Sequence, residues 1–170
     1  MTTVTLPALS PPPGRYAVAP GRSFVELTAY YGPLATLRHR VTLTGASLTV
    51  PESETETESE TETESETQSL DERPVFRFDF ARPMKASLVS EHVEPLADGR
   101  HVQLIADLDV RGVAFPVLLR LRVVRCAEGR LLVVGAARLP YRLLRRATGF
   151  RLPRLRPATR LRLLLAAEFA

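Results

Sequence analysis

The feature that most constrains this chain is an alternation of apolar and polar residues, with a period of two, recurring along most of its length. In residues 100–111, Val102, Leu104, Ala106, Leu108 and Val110 fall on one side, and His101, Gln103, Asp107 and Asp109 on the other. In residues 115–125, Phe115, Val117, Leu119, Leu121 and Val123 oppose Arg120 and Arg122. The same spacing relates Phe76, Phe78 and Phe80, then Leu37, His39, Val41 and Leu43, and near the end Leu161, Leu163 and Leu165. It also relates Leu131, Val133, Gly135, Ala137 and Leu139. Successive side chains of a strand point to opposite faces, so each run predicts a strand with one apolar face. Turn-forming pairs punctuate the runs: Pro20-Gly21, Gly32-Pro33, Arg82-Pro83, Asp98-Gly99, Arg111-Gly112 and Glu128-Gly129. Asp98-Gly99 is the strongest hairpin signal among them. One segment leaves the pattern. Tyr141–Thr148, with Arg145 and Arg146 near its end and Gly149 beyond, predicts a short helix.

Eight or nine one-sided strands joined by short turns must close on themselves or stack to hide their edges. Strands of about 9–12 residues, at ~3.3 Å each, are long for a small sandwich and suit a tall barrel. The expected fold is therefore all-β: an antiparallel up-and-down β-barrel of about eight strands, with one short helix at 141–148, which the pattern favours over its alternative, a stacked two-sheet sandwich.

Charge divides the 170 residues unevenly. Residues 52–72 hold ten of the 19 acidic residues, in near-repeats of ESETET, and none of the 23 basic ones. The rest of the chain carries a net charge of +14. An acidic Ser/Thr/Glu tract has nothing to bury and repels itself, so 51–73 is expected to be a disordered insertion. The Pro-rich residues 1–13 are expected to be a disordered lead-in, leaving 14–170 as one interrupted barrel domain. A single cysteine, Cys126, excludes an internal disulfide framework and a cysteine-based zinc site. The start of the chain lacks a secretory pattern, and the longest apolar run, about seven residues, is far short of the ~20 of a membrane-spanning helix. The cytoplasm is the expected compartment. The arginines are spread over several strands without interleaved aromatics, so no specific nucleic-acid partner is expected.

The stretch Val93–Val117, with Asp107-Leu108, Val110-Arg111-Gly112-Val113 and Pro116-Val117, resembles the bacterial YceI-like proteins. Gly14–Val18 through Arg22–Val25 is similar to that family's opening hairpin, and Tyr141–Phe150 to its late Arg–Gly segment. Three places depart from the pattern. Arg22-Ser23 stands for a His-Ser pair, His39 stands where a glycine is usual, and the central R-D-x-H-L segment has no counterpart between Phe80 and Lys85. The resemblance implies a lipocalin-like barrel holding a long isoprenoid or quinone-type lipid as its only bound small molecule, with no other cofactor.

Candidate lining residues are the inward positions Leu37, His39, Val41, Phe76, Phe78 and Phe80, with Leu104, Leu108, Leu119 and Leu121 from the later strands. Arg145 and Arg146 are the candidates for a lipid headgroup. His39 reads first as a hydrogen-bonded core side chain, with a headgroup contact as the alternative. Asp107 and Asp109 share the solvent face and are expected to pair with arginines such as Arg120 or Arg122. The histidines His39, His92 and His101 lack metal-ligand spacing, and the sequence carries no nucleophile elbow, phosphate loop or dinucleotide fingerprint. No catalysis and no metal are expected. The expected function is non-catalytic binding or carriage of an isoprenoid-type lipid. The alternative is a packed barrel serving protein interaction or stress response without a small ligand.

Overall fold

The computed structural model describes residues 11–52, 73–82, 85–149, 151 and 158–170. Nearly all of the expected lead-in and acidic insertion falls outside these residues, as does Pro83 of the Arg82-Pro83 turn. Nine strands and one helix follow in the order β1 (Gly14–Tyr31), β2 (Leu34–Arg40), β3 (Thr42–Val50), β4 (Val75–Arg82), β5 (Ala86–Pro95), β6 (His101–Val110), β7 (Val113–Ala127), β8 (Arg130–Leu139), α1 (Tyr141–Thr148) and β9 (Arg160–Phe169). From β3 to β9 each strand pairs antiparallel with the next, and β9 returns to β1 with Val25 opposite Leu165. The sheet is a closed up-and-down barrel, as the alternation predicts.

The nine strands make eight staves. A single residue, Val41, separates β2 from β3, and its N–H donates to the Val25 carbonyl at 2.8 Å. Both strands pair with β1: β3 with Gly14–Ala17, and β2 with Glu26–Tyr31. Gly32 and Pro33 make the turn between β1 and β2. Pro20-Gly21, by contrast, is not a turn, and the expected opening hairpin is one 18-residue strand. The β1–β9 register jumps between Val18 and Ser23, so these residues form a bulge. Proline has no N–H for the ladder and is tolerated where pairing lapses.

The inward positions form one apolar core, and the outward ones carry charge. In β7 the side chains of Phe115, Val117, Leu119, Leu121 and Val123 are buried, while Arg120 and Arg122 are exposed. In β9 every second residue from Leu161 to Phe169 is at most 3% exposed. This is apolar inside and charged outside, the reverse of a barrel that spans a membrane. No helix among the described residues is long and apolar enough to cross one.

Two local features shape the barrel. Arg111-Gly112 and Glu128-Gly129 are two-residue hairpin turns with positive φ at both positions, the geometry that matches the right-handed twist of paired strands. Gly135, inward on β8, lies against β7 so closely that a Cβ would stand 2.4 Å from Leu121 Cδ2 and 2.6 Å from the Arg120 carbonyl. Only glycine permits that approach.

The helix closes one end. It lies after β8, beside the start of β9 and the β6–β7 turn, and buries Tyr141 and Leu144 while Arg142 and Leu143 face solvent. Arg111 Nη1 donates to the Thr148 carbonyl at 2.9 Å, and Gly149 N–H returns to the Arg145 carbonyl in the left-handed C-cap. The predicted bounds of the helix agree with the structure.

Candidate functional site: an apolar cup at the open end

At the other end, where β3 leaves off and β4 begins, the bore opens into a cavity of about 550 Å³. Its walls are Leu48 and Val50 of β3, Val93 of β5, Val102 of β6 and Val123 of β7. Leu131 and Val133 of β8 complete the ring, and Pro74, Pro95, Leu96 and His101 stand at the rim.

The cavity exists because two neighbouring strands part company. Pairing between β4 and β5 ends at Arg77 opposite Val89. Beyond it the ladder position is taken by a side chain: Ser90 Oγ, buried, accepts the Phe76 N–H at 2.8 Å. A bulge between Ser90 and His92 then turns β5 away, and β5 continues to Pro95 paired only with β6. Ser90 thus satisfies a backbone donor that the missing strand neighbour leaves behind, and no buried side-chain polar atom among the described residues lacks a partner.

The floor is aromatic. Phe76 faces the cavity, with Phe78 stacked against it at 6.3 Å between ring centroids and Phe169 edge-on at 5.9 Å. Phe78 and Phe169 are fully buried and meet at 6.0 Å. Aromatic pairs at these separations add to their area burial and resist being parted. Below them Leu88, Leu104, Leu108, Leu119 and Leu161 fill the bore. The interior is therefore a cup at one end of a packed body.

The rim is braced by polar contacts. Asp98 accepts the backbone N–H groups of Arg100 (3.0 Å) and His101 (2.9 Å), and its other oxygen meets His101 Nδ1. These backbone donors, more than the imidazole, hold the Asp98 carboxyl down at about 2. Together with Leu96, whose N–H donates to the His101 carbonyl, they set the loop between β5 and β6. Across the mouth, Glu168 accepts from Arg22 at 3.0 Å and lies 3.5 Å from Arg130. Arg73 Nη1 meets His92 Nδ1 at 3.2 Å where β4 begins.

The structure divides the expected lining residues. Phe76 and Leu121 face the cup. Phe78, Phe80, Leu104, Leu108 and Leu119 are buried in the packed body, and Val41 is buried farther toward the helix end. Leu37 is half-buried, and His39 is exposed rather than interior. Its side is the inward one, opposite Leu27, but β4 reaches only Thr42 and leaves β2 with an unpaired outer edge among the described residues. Arg145 and Arg146 lie exposed on α1, at the end away from the cup, so the structure does not bring them to it. Asp107 and Asp109 do not pair with Arg120 or Arg122. The β6–β7 register sets them opposite Pro116 and Ala114, while Arg120 and Arg122 face Gln103 and His101. Asp109 instead accepts the Gly112 N–H at 3.1 Å, and Asp107 hydrogen-bonds Glu91, raising the pKa of that carboxyl. Cys126 is exposed near the β7–β8 turn. Among the described residues, no group of three or more His, Cys, Asp or Glu side chains could hold a metal ion.

The cup residues missing from the sequence reading are the inward positions at strand ends: Leu48, Val50, Val93, Val102 and Val133. They carry the same letters as the packed positions, so periodicity alone could not separate them. The Asp98-Gly99 turn was the one available pointer to that rim. No protein-family model matches the chain, and no curated protein sequence matches it either.

Proposed function

We propose that the open cup binds an apolar chain, of the isoprenoid or similar lipid class, and that the protein carries it without catalysis. The observation that carries this reading is the cup itself: a mouth-facing cavity ringed by Val, Leu, Phe and Pro over an aromatic floor. Ligand pockets are concave, largely apolar and of this size range. At roughly 30 Å³ per non-hydrogen atom, near a water's share of liquid volume, 550 Å³ holds about 18 such atoms. That fits a chain of roughly fifteen to twenty carbons, or the end of a longer one with its remainder outside. Burying ten methylenes stabilises a complex by about 8 kcal/mol before ordering costs, without any polar contact. The resemblance of 93–117 to the YceI-like proteins points the same way.

Native mass spectrometry of the purified full chain tests the proposal. A co-purifying lipid, or uptake of an added prenyl alcohol of about fifteen carbons, supports it. A clean apo mass that stays unchanged with excess prenyl alcohol supports the second reading, in which the packed body below Phe76 serves protein interaction alone.

A further inference from the structure

We propose that the outer wall built by β7, β8 and β9 is a docking face for an anionic lipid bilayer, with the mouth of the cup at its margin. The proposal deepens the lipid-carrier reading and rests on it for its purpose, but its geometry is independent of the cup.

On this wall a groove of about 650 Å³ is lined by five arginines: Arg120 and Arg122 of β7, Arg138 of β8, and Arg160 and Arg162 of β9. None of the five takes part in an ion pair among the described residues, whereas Arg22, Arg77 and Arg130 do. Arg160 lies over the Tyr30 ring at 5.0 Å and donates to the Gly32 carbonyl. Arg138 and Arg162 stand directly opposite each other across β8 and β9. Like charges in that relation destabilise a sheet, and a layer of negative charge laid over them removes the repulsion. The carboxylate nearest by register is Glu26, opposite Leu164, and it accepts from Thr28 at 3.1 Å. Glu168, on β9 of the same wall, is taken up by Arg22 and Arg130, and Glu91 and Asp107 crowd each other on β5 and β6.

What distinguishes a bilayer from another polyanion is an exposed apolar pair at the edge of this wall, where β6 meets β7. Ile105 and Leu118 pair across β6 and β7 and are 42% and 55% exposed. Leu119 pairs with Ala137, so Leu118 and Arg138 are neighbours too. Aliphatic side chains beside cations suit the headgroup and upper acyl region of an anionic membrane. A single nucleic-acid strand would instead stack its bases on exposed aromatic platforms, and the aromatic that lines this groove, Tyr30, already has Arg160 over its ring. The groove and the cup share one residue, His101, which lines both. A barrel lying on this wall holds its mouth at the membrane surface, where a lipid chain enters or leaves.

Sedimentation of the full chain with phosphatidylcholine vesicles, with and without phosphatidylglycerol, tests the face. Binding is expected only with phosphatidylglycerol, and is expected to fall as the Debye length shrinks from about 10 Å to about 3 Å between 0.1 and 1 M salt. The Arg138→Ala/Arg162→Ala variant is expected to lose about 30-fold in partitioning. Arg77→Ala/Lys85→Ala, with the same charge change on the β4–β5 side, is expected to change it less than about threefold. No binding to anionic vesicles, or equal losses in the two variants, would overturn the proposal. So would displacement of the vesicles by a single-stranded oligonucleotide at equal phosphate concentration. Prenyl alcohol uptake in solution, followed in the same variants, separates this outcome from the fate of the cup: docking can fail with uptake intact, and uptake can fail with docking intact.

Discussion

The two ends of the barrel are built from the same inward Leu, Val and Phe residues, yet one is closed and the other hollow. At the closed end α1 brings Tyr141 and Leu144 against the core, and β8 and β9 pair up to Leu139 opposite Leu161. At the open end the β4–β5 ladder stops at Arg77 and Val89, Ser90 takes over the next backbone donor, and nothing among the described residues fills the space above Phe76. Apolar composition sets which face turns inward. Whether that face is packed or vacant depends on where neighbouring strands stop.

The sharpest way to break the comparison is to remove its floor. Phe169→Ala deletes a fully buried ring packed edge-on against Phe76 and Phe78 and is expected to cost ~3–5 kcal/mol, read from urea denaturation. A loss below 1 kcal/mol would mean the floor is not packed. At the closed end Leu144→Ala, also fully buried, is expected to cost ~2–5 kcal/mol while leaving chain uptake in place. Loss of uptake in that variant would show that the two ends are not independent.

Filling the cup should do the opposite. Val102→Phe places a ring in existing space, so it is expected to shift stability by less than about 1 kcal/mol while weakening prenyl alcohol binding at least tenfold. Unchanged binding would place the ligand elsewhere.

How much of this could be read from the letters varies by element. The alternation in 100–111 and 115–125 identified the inward face of β6 and β7 residue by residue, and Tyr141–Gly149 announced the helix and its cap. The cup was not legible, because Val102 and Leu104 share one face and differ only in height along the bore. Height is set by register, a relation between strands distant in sequence. The same cause misplaced Asp107, whose neighbour is Glu91 across β5 and β6 rather than an arginine of β7. His39 failed for a related reason: its parity was read correctly, but nothing in the local pattern told that β2 runs past the end of β4.

Two smaller effects sharpen the picture of the open end. Asp98, held at about 2, is depressed below the ordinary 3.8, so its contribution to stability is present above about pH 4 and lost as pH falls toward 2. Faster amide exchange at Arg100 and His101 is expected over that window, and Asp98→Asn should flatten the dependence. The acidic tract joins Val50 to Val75, whose strands are already paired at Thr49 opposite Val75. Deleting 52–69 shortens that connection fourfold and is therefore expected to change stability by only about 1 kcal/mol. Because the remaining chain carries a large positive charge, the deletion should also lengthen salt-sensitive retention on heparin.

Methyl NMR during titration with a fifteen-carbon prenyl alcohol puts the division of the bore to its most direct test. Shifts confined to Val102, Leu121, Val123, Leu131 and Val133, with Leu108, Leu144 and Leu161 unmoved, are the expected result. Shifts spread along the whole bore, or none in the cup, would contradict it.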